Sequence, residues 1–207
     1  MTEPLPLGRL RALARTAAVA EKPRGEGHRC DLCGEALPAG HRHLLELSVR
    51  RLACACRACA LLFDRGTTDT GRYRTVPELR ERLADDPFDD VGWAALGVPV
   101  RLAFLVPHDD GVTAHYPSPL GVVGTDVERE AWEHLVRRRP ELARLVPEVT
   151  ALLVHRAAGE HWLVGIDECY RLTARVRGNW TGMTGGDEVW REIDRFFAEL
   201  RSGVAPG

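Results

Sequence analysis

Two C-x2-C pairs, Cys30/Cys33 and Cys56/Cys59, constrain this chain more than any other feature. The turn between paired cysteines is tight, so both sulfurs of a pair aim at one point, and two such pairs close a tetrahedron of thiolates. Gly34 follows the first pair, where a tight turn needs backbone freedom. Backbone N–H groups in the turn donate to the sulfurs and offset their charge. The expected ligand set is Cys30, Cys33, Cys56 and Cys59 around a single metal ion, with zinc in a structural role. Cys54 complicates the second pair, because C-x-C and C-x2-C overlap there. It is an alternative ligand in place of Cys56, a spare thiol, or a redox partner. His28, His41 and His43 flank the cluster and read as surface residues rather than ligands.

Between the pairs, Arg42–Leu47 and Val49–Ala53 alternate well enough for a short hairpin. Cys56–Phe63 then reads as a helix start, with Leu61, Leu62 and Phe63 expected to pack beneath the site. A knuckle, a hairpin, and a helix carrying the second ligand pair resemble the treble-clef zinc finger over residues 28–63. A module of this size holds little apolar material, so metal binding would supply much of its folding free energy. Four thiolates also hold a single iron, as in rubredoxin, or an iron–sulfur cluster. A rubredoxin-like iron electron carrier is therefore the alternative. Gly34 suits a rubredoxin knuckle, but Ala60 stands where a second glycine would be expected.

The remaining chain reads as three further segments. Residues 1–25 form an amphipathic helix, with Leu10, Leu13, Ala14, Ala17 and Ala18 on one face. Residues 26–65 are the metal-binding module, and polar residues 66–75 a linker. Residues 76–203 form an α+β domain. Its expected elements begin with a short helix over 76–84 carrying Val76, Leu79 and Leu83. Strands follow within Val98–Val106 and Gly111–Tyr116, joined by the turn His108-Asp109-Asp110-Gly111. Pro117 and Pro119 end that pair. A helix over Asp126–Arg138 comes next, then a second hairpin, Val149–His155 with His161–Ile166. Helices over Asp167–Arg177 and Glu188–Leu200 complete the order. Hairpins followed by helices point to an antiparallel sheet with helices on one face.

Composition excludes several classes. The net charge is -2, and the excess of 11 basic over 7 acidic side chains in residues 1–65 would be offset by four metal-bound thiolates, by half once the ion's own charge is counted. No basic patch for nucleic acid is expected. No run of 18 apolar residues occurs, so no membrane-spanning helix is expected. Arg9, Arg11 and Arg15 interrupt the leucines and alanines near the start, which does not suit a secretory signal. A cytoplasmic location follows, where cysteines serve as ligands more often than as disulfides. Lys22 is the only lysine, a sign of a GC-rich bacterial genome rather than of function.

Other signals have plain readings. Cys169 lies on an apolar helical face and reads as a buried structural thiol. The glycine-rich Gly178–Gly186 lacks the lysine of a phosphate loop, and Thr184 with Asp187 suggests helix capping. His108/Asp109/Asp110 and Asp167/Glu168 fit turn and cap chemistry rather than a catalytic pair. Trp162, Trp180 and Trp190 read as core. No catalytic residue is assigned, and an enzyme of unknown class using residues 76–203 stands as a third reading.

Arg29–Glu35, His43–Leu45, Cys54–Phe63, Tyr116–Pro119, Ala151–Val154 and Trp190–Phe197 together resemble an uncharacterised bacterial family. Its members are often encoded near nickel–iron hydrogenase and maturation genes. The resemblance implies a zinc-binding accessory protein with a protein partner, hydrogenase-related, acting in assembly or maturation.

Overall fold

The computed structural model describes residues 28–63, 71–84, 88–118, 121–182 and 185–203. The amphipathic helix expected within residues 1–25 lies outside them, as does Thr184. The described elements run β1 (Arg42–Glu46), β2 (Arg51–Ala55), α1 (Arg57–Phe63), β3 (Tyr73–Thr75), β4 (Arg80–Arg82) and α2 (Asp90–Ala95). They continue with β5 (Leu102–Pro107), β6 (Val112–Ser118), β7 (Gly121–Asp126), α3 (Arg129–Arg138), β8 (Thr150–His155), β9 (Glu160–Gly165), α4 (Ile166–Asn179) and α5 (Gly186–Ser202). The strands form two antiparallel sheets, ordered β2-β1-β3 and β4-β9-β8-β5-β6-β7. The architecture is α+β.

The large sheet is buried on both faces. Leu102, Phe104 and Val106 of β5 join Leu153 and Val164 against α4 and α5, which contribute Ile166, Leu172, Ile193, Phe196 and Phe197. The intervening Ala103 and Leu105 join Leu152, Val154 and Leu163 on the other face, against Phe88, Trp93, Leu135 and Leu142. Helices therefore cover both faces, rather than the one expected. The unbroken apolar runs of β5 and β8 are what a doubly covered strand requires, since alternation belongs to strands with one wet face.

Three local expectations are corrected. Residues 80–82 form an edge strand on β9 instead of a helix over 76–84. Val76 and Leu83 enter cores on opposite faces of the sheet, which an extended segment allows and one helical face does not. The strands do not end at Pro117: β6 reaches Ser118, and β7 pairs with it from Ser118↔Gly121 to Thr113↔Asp126. β5 pairs with β6 only as far as His115, so Pro117 lies where β5 asks for no N–H from it. Trp190 is 50% exposed, while Val189, Ile193, Phe196, Phe197 and Leu200 carry the buried stripe of α5. The turn at His108–Gly111 forms as expected, closed by His108 N–H to Gly111 O at 2.7 Å, and the β8–β9 connection turns at Gly159, left-handed at φ 63°.

The small sheet carries the cysteine cluster. β3, within the segment read as a linker, adds a third strand to β1. Period-2 alternation sends Leu44, Ala53 and Ala55 into a small core with Cys30, Cys56, Cys59 and Ala60. Leu45 points the other way, into the core beneath α4 and α5. The hairpin thus has one face toward the cysteine cluster and one toward the large sheet's helices.

Candidate metal centre

The first knuckle is closed by backbone hydrogen bonds. Gly34 N–H donates to Cys30 O at 2.8 Å, and Cys30 N–H to Glu35 O at 2.8 Å. Gly34 takes φ 79°, the left-handed region that glycine enters without strain. Asp31 straps the knuckle to β2: its N–H donates to Cys54 O, and its carboxylate accepts Cys54 N–H at 2.7 Å. The second pair opens α1. Cys56 precedes the helix, and Cys59 N–H donates to Cys56 Sγ at 3.4 Å.

The four sulfurs of Cys30, Cys33, Cys56 and Cys59 all lie within 4.8 Å of one another. Sulfurs about 2.3 Å from one ion stand about 3.8 Å apart along a tetrahedral edge. Cys33 and Cys56 Sγ are 3.8 Å apart. Thiolates of an iron–sulfur cluster bind different irons and spread further, so this spacing fits one ion. The donor set suits a soft or borderline cation, zinc or iron, and not magnesium or calcium. Cys30, Cys56 and Cys59 are buried, and Cys33 is exposed.

The four thiols sit in unequal electrostatic environments. Burial raises the Cys30 thiol, but N–H groups of Cys56, Cys33 and Leu32 outweigh it and bring the group down to about 6. Burial and the neighbouring sulfurs of Cys33, Cys56 and Cys30 push Cys59 well above the usual thiol range. Four thiolates this close repel one another, and a divalent ion supplies the counter-charge under which all can ionise.

Leu61, Leu62 and Phe63 do not pack beneath the site as expected. Leu61 and Leu62 are 65% and 61% exposed. In seven-residue α1 the inward face holds Cys59 and Ala60, so the cluster itself occupies the place those side chains would fill.

Cys54 belongs to a different group. Its sulfur and the ring nitrogens of His28 and His41 lie within 4.8 Å of one another. Cys54 pairs in register with His43, so both leave the hairpin on the face away from Ala53 and Leu44. His43 Nδ1 is 3.0 Å from Asp167 Oδ2 in the first turn of α4. Burial disfavours the charged ring, but the hydrogen bonds to Asp167 and Cys54 and the charge of Asp167 outweigh this and raise His43 to about 9. Arg50 and Arg74 make further links to the large sheet: Arg50 to Glu148 at 2.7 Å, and Arg74 to Pro147 O at 2.6 Å.

A family model matches residues 29–204, most of the chain. The chain belongs to DUF5947, a family of unknown function. No curated protein and no solved structure matches it.

Elsewhere in this DUF5947 chain the polar signals have structural partners. Glu168 is 3% exposed and accepts from Arg80 Nε at 2.8 Å and Arg171 Nε at 2.9 Å. Cys169 is fully buried in the core, where burial pushes its thiol far up. His108 Nδ1 lies 2.9 Å from Glu148 Oε1. The N-cap of α5 is Gly185 in a left-handed conformation, with no side-chain cap. Sequence reasoning missed the grouping of His28, His41 and Cys54, because strand register, not spacing, brings β1 and its flank beside β2. The overlapping C-x-C was its one visible sign. Among the described residues no helix is long and apolar enough to cross a membrane.

Proposed function

We propose that this chain is a cytoplasmic zinc-binding accessory protein, in which a treble-clef-like module held by Cys30, Cys33, Cys56 and Cys59 is packed onto an α+β domain. The observation that carries the reading is the four sulfurs within 4.8 Å, three of them buried, on a knuckle and a helix start. Zinc is the usual ion of a closed four-thiolate structural site. It would neutralise the cluster and fix the knuckle against α1. The module's own core is small, consisting of the cysteines, Leu44 and three alanines, with Leu32, Leu37 and Tyr73 packed partly against it. A bound metal offsets that shortage.

The exposed Leu61 and Leu62 of α1 are the contact residues this reading offers to a partner. The partner that the resemblance implies is nickel–iron hydrogenase or its maturation machinery. Two measurements test the reading. Anaerobically purified chain should be colourless and hold a zinc ion that survives dialysis and is lost in Cys30→Ser and Cys59→Ser variants. A red, iron-containing protein would replace this reading with the electron carrier. Tagged chain should co-purify stoichiometrically with a hydrogenase subunit or maturation factor, and Leu61→Glu with Leu62→Glu should weaken that association.

A further inference from the structure

We propose that His28, His41 and Cys54 form a second metal site, distinct from the four-cysteine cluster, that takes an exchangeable zinc-class divalent cation on three protein ligands. The three donor atoms lie within 4.8 Å of one another. The rings are already gathered: His28 and His41 centroids are 5.1 Å apart, and His41 and His43 centroids 4.9 Å apart.

His41 is set up as a ligand. Its Nδ1 is 3.0 Å from Pro38 O, so the Nδ1 proton donates to that carbonyl. This tautomer leaves Nε2 with a lone pair. Nε2 is buried and has no hydrogen-bond partner among the described residues. A buried imidazole nitrogen without a partner is costly. A ring that donates one N–H to a backbone carbonyl and offers its other nitrogen is the usual arrangement of a metal-bound histidine.

His43 supports the site from behind. Its Nδ1 is taken by Asp167, and it stands opposite Cys54 in the strand register. Held there, it flanks the Cys54 sulfur rather than binding the ion itself. Cys54 is held at the backbone too, through both N–H and C=O to Asp31. The two candidate sites cannot merge, because the hairpin separates them. Leu44, Ala53 and Ala55 face the four-cysteine core, whereas Cys54 and His43 leave from the opposite face. Two imidazoles and a thiolate are a borderline-soft donor set, which selects zinc-class ions over magnesium and calcium. Three protein ligands leave a fourth tetrahedral position for water or an exogenous donor, as in zinc sites that are not purely structural.

The test is titration of the zinc-loaded full chain with Co2+, read by visible and near-ultraviolet absorption. The expected result is a further equivalent of Co2+ bound with micromolar or tighter affinity, giving tetrahedral d–d bands and charge transfer from a single thiolate. Cys54→Ala and His41→Ala should each weaken that equivalent by about 100-fold or more. His43→Gln should weaken it by roughly 10- to 100-fold, the range for a group that supports a ligand. His28→Ala guards against misfolding, because His28 is exposed. It should lose affinity while retaining the circular dichroism spectrum and the zinc of the first site. No further equivalent in the wild-type chain overturns the proposal, as does one that survives Cys54→Ala, His41→Ala or His28→Ala. Metal analysis of the Cys54→Ala chain separates the two sites, since it should lose the further Co2+ equivalent and keep the metal of the four-cysteine cluster. A Co2+ equivalent that depends on Cys54, His41 and His28 stands even if the four-cysteine cluster holds another metal or none.

Discussion

His43 Nδ1 lies 3.0 Å from Asp167 Oδ2, joining the small hairpin to the first turn of α4 across 124 residues of sequence. Both side chains are about a quarter exposed, so water screens the pair only in part.

That pair predicts a pH dependence of stability. An unfolded histidine titrates near pH 6.5, and His43 in the fold does so at about 9. The fold therefore favours the protonated ring. Its contribution is complete below pH about 6.5 and is lost as pH rises through 9. Urea unfolding should show a stability decline on the order of 2 kcal/mol between those limits. Asp167→Asn should flatten it, and the His43 ring proton should titrate near pH 9 by NMR.

On the proposed zinc reading, removing the metal should act first on the small sheet. Structural zinc contributes apparent binding free energy on the order of 10 kcal/mol, and the cysteine core has little else to hold it. A strong chelator, or Cys59→Ser, should expose the 28–63 segment to protease and hydrogen exchange. The large sheet should keep its circular dichroism signal but unfold at lower temperature, because Leu45 of β1 completes the core under α4 and α5.

Glu168 offers a sharper stability test. Its carboxylate is buried, with Arg80 and Arg171 as partners. Arg80→Ala leaves that charge with half its compensation and should cost about 3 kcal/mol in denaturant unfolding. The double variant Arg80→Ala with Glu168→Gln should recover part of the loss, since no uncompensated charge remains buried.

Neighbouring aromatic residues on α5 should respond very differently. Phe197→Ala should cost about 3–5 kcal/mol, because Phe197 is fully enclosed and rests edge-on against Phe196. Trp190→Ala should cost under about 1 kcal/mol, since half its surface already meets water. Thermal unfolding of the two variants distinguishes them.

Much of this molecule was legible in the order of its residues. The Cys30/Cys33 and Cys56/Cys59 pairs declare themselves because two cysteines separated by two residues are a local object, formed by one turn of chain. The hairpins at His108–Gly111 and Ala157–Glu160 are local in the same way. The periodic stripe of α5 identified its buried face, with Trp190 the residue at its margin that escaped burial.

Other features had no local cause. β4 is a strand because β9 offers it an edge, although Val76, Leu79 and Leu83 have helical spacing. β7 exists because β6 continues through Pro117. Helices cover both faces of the large sheet because β5 and β8 are apolar on both sides, a property that pairing order alone turns into two cores. The sequence by itself determined which cysteines form two close pairs, because each pair's geometry is set within one short turn; the hairpin between them brings the four sulfurs within 4.8 Å of one another. Only the tertiary structure decided the company of Cys54. Cross-strand register sets it opposite His43, the hairpin face turns both toward α4, and His28 and His41 close around the same point.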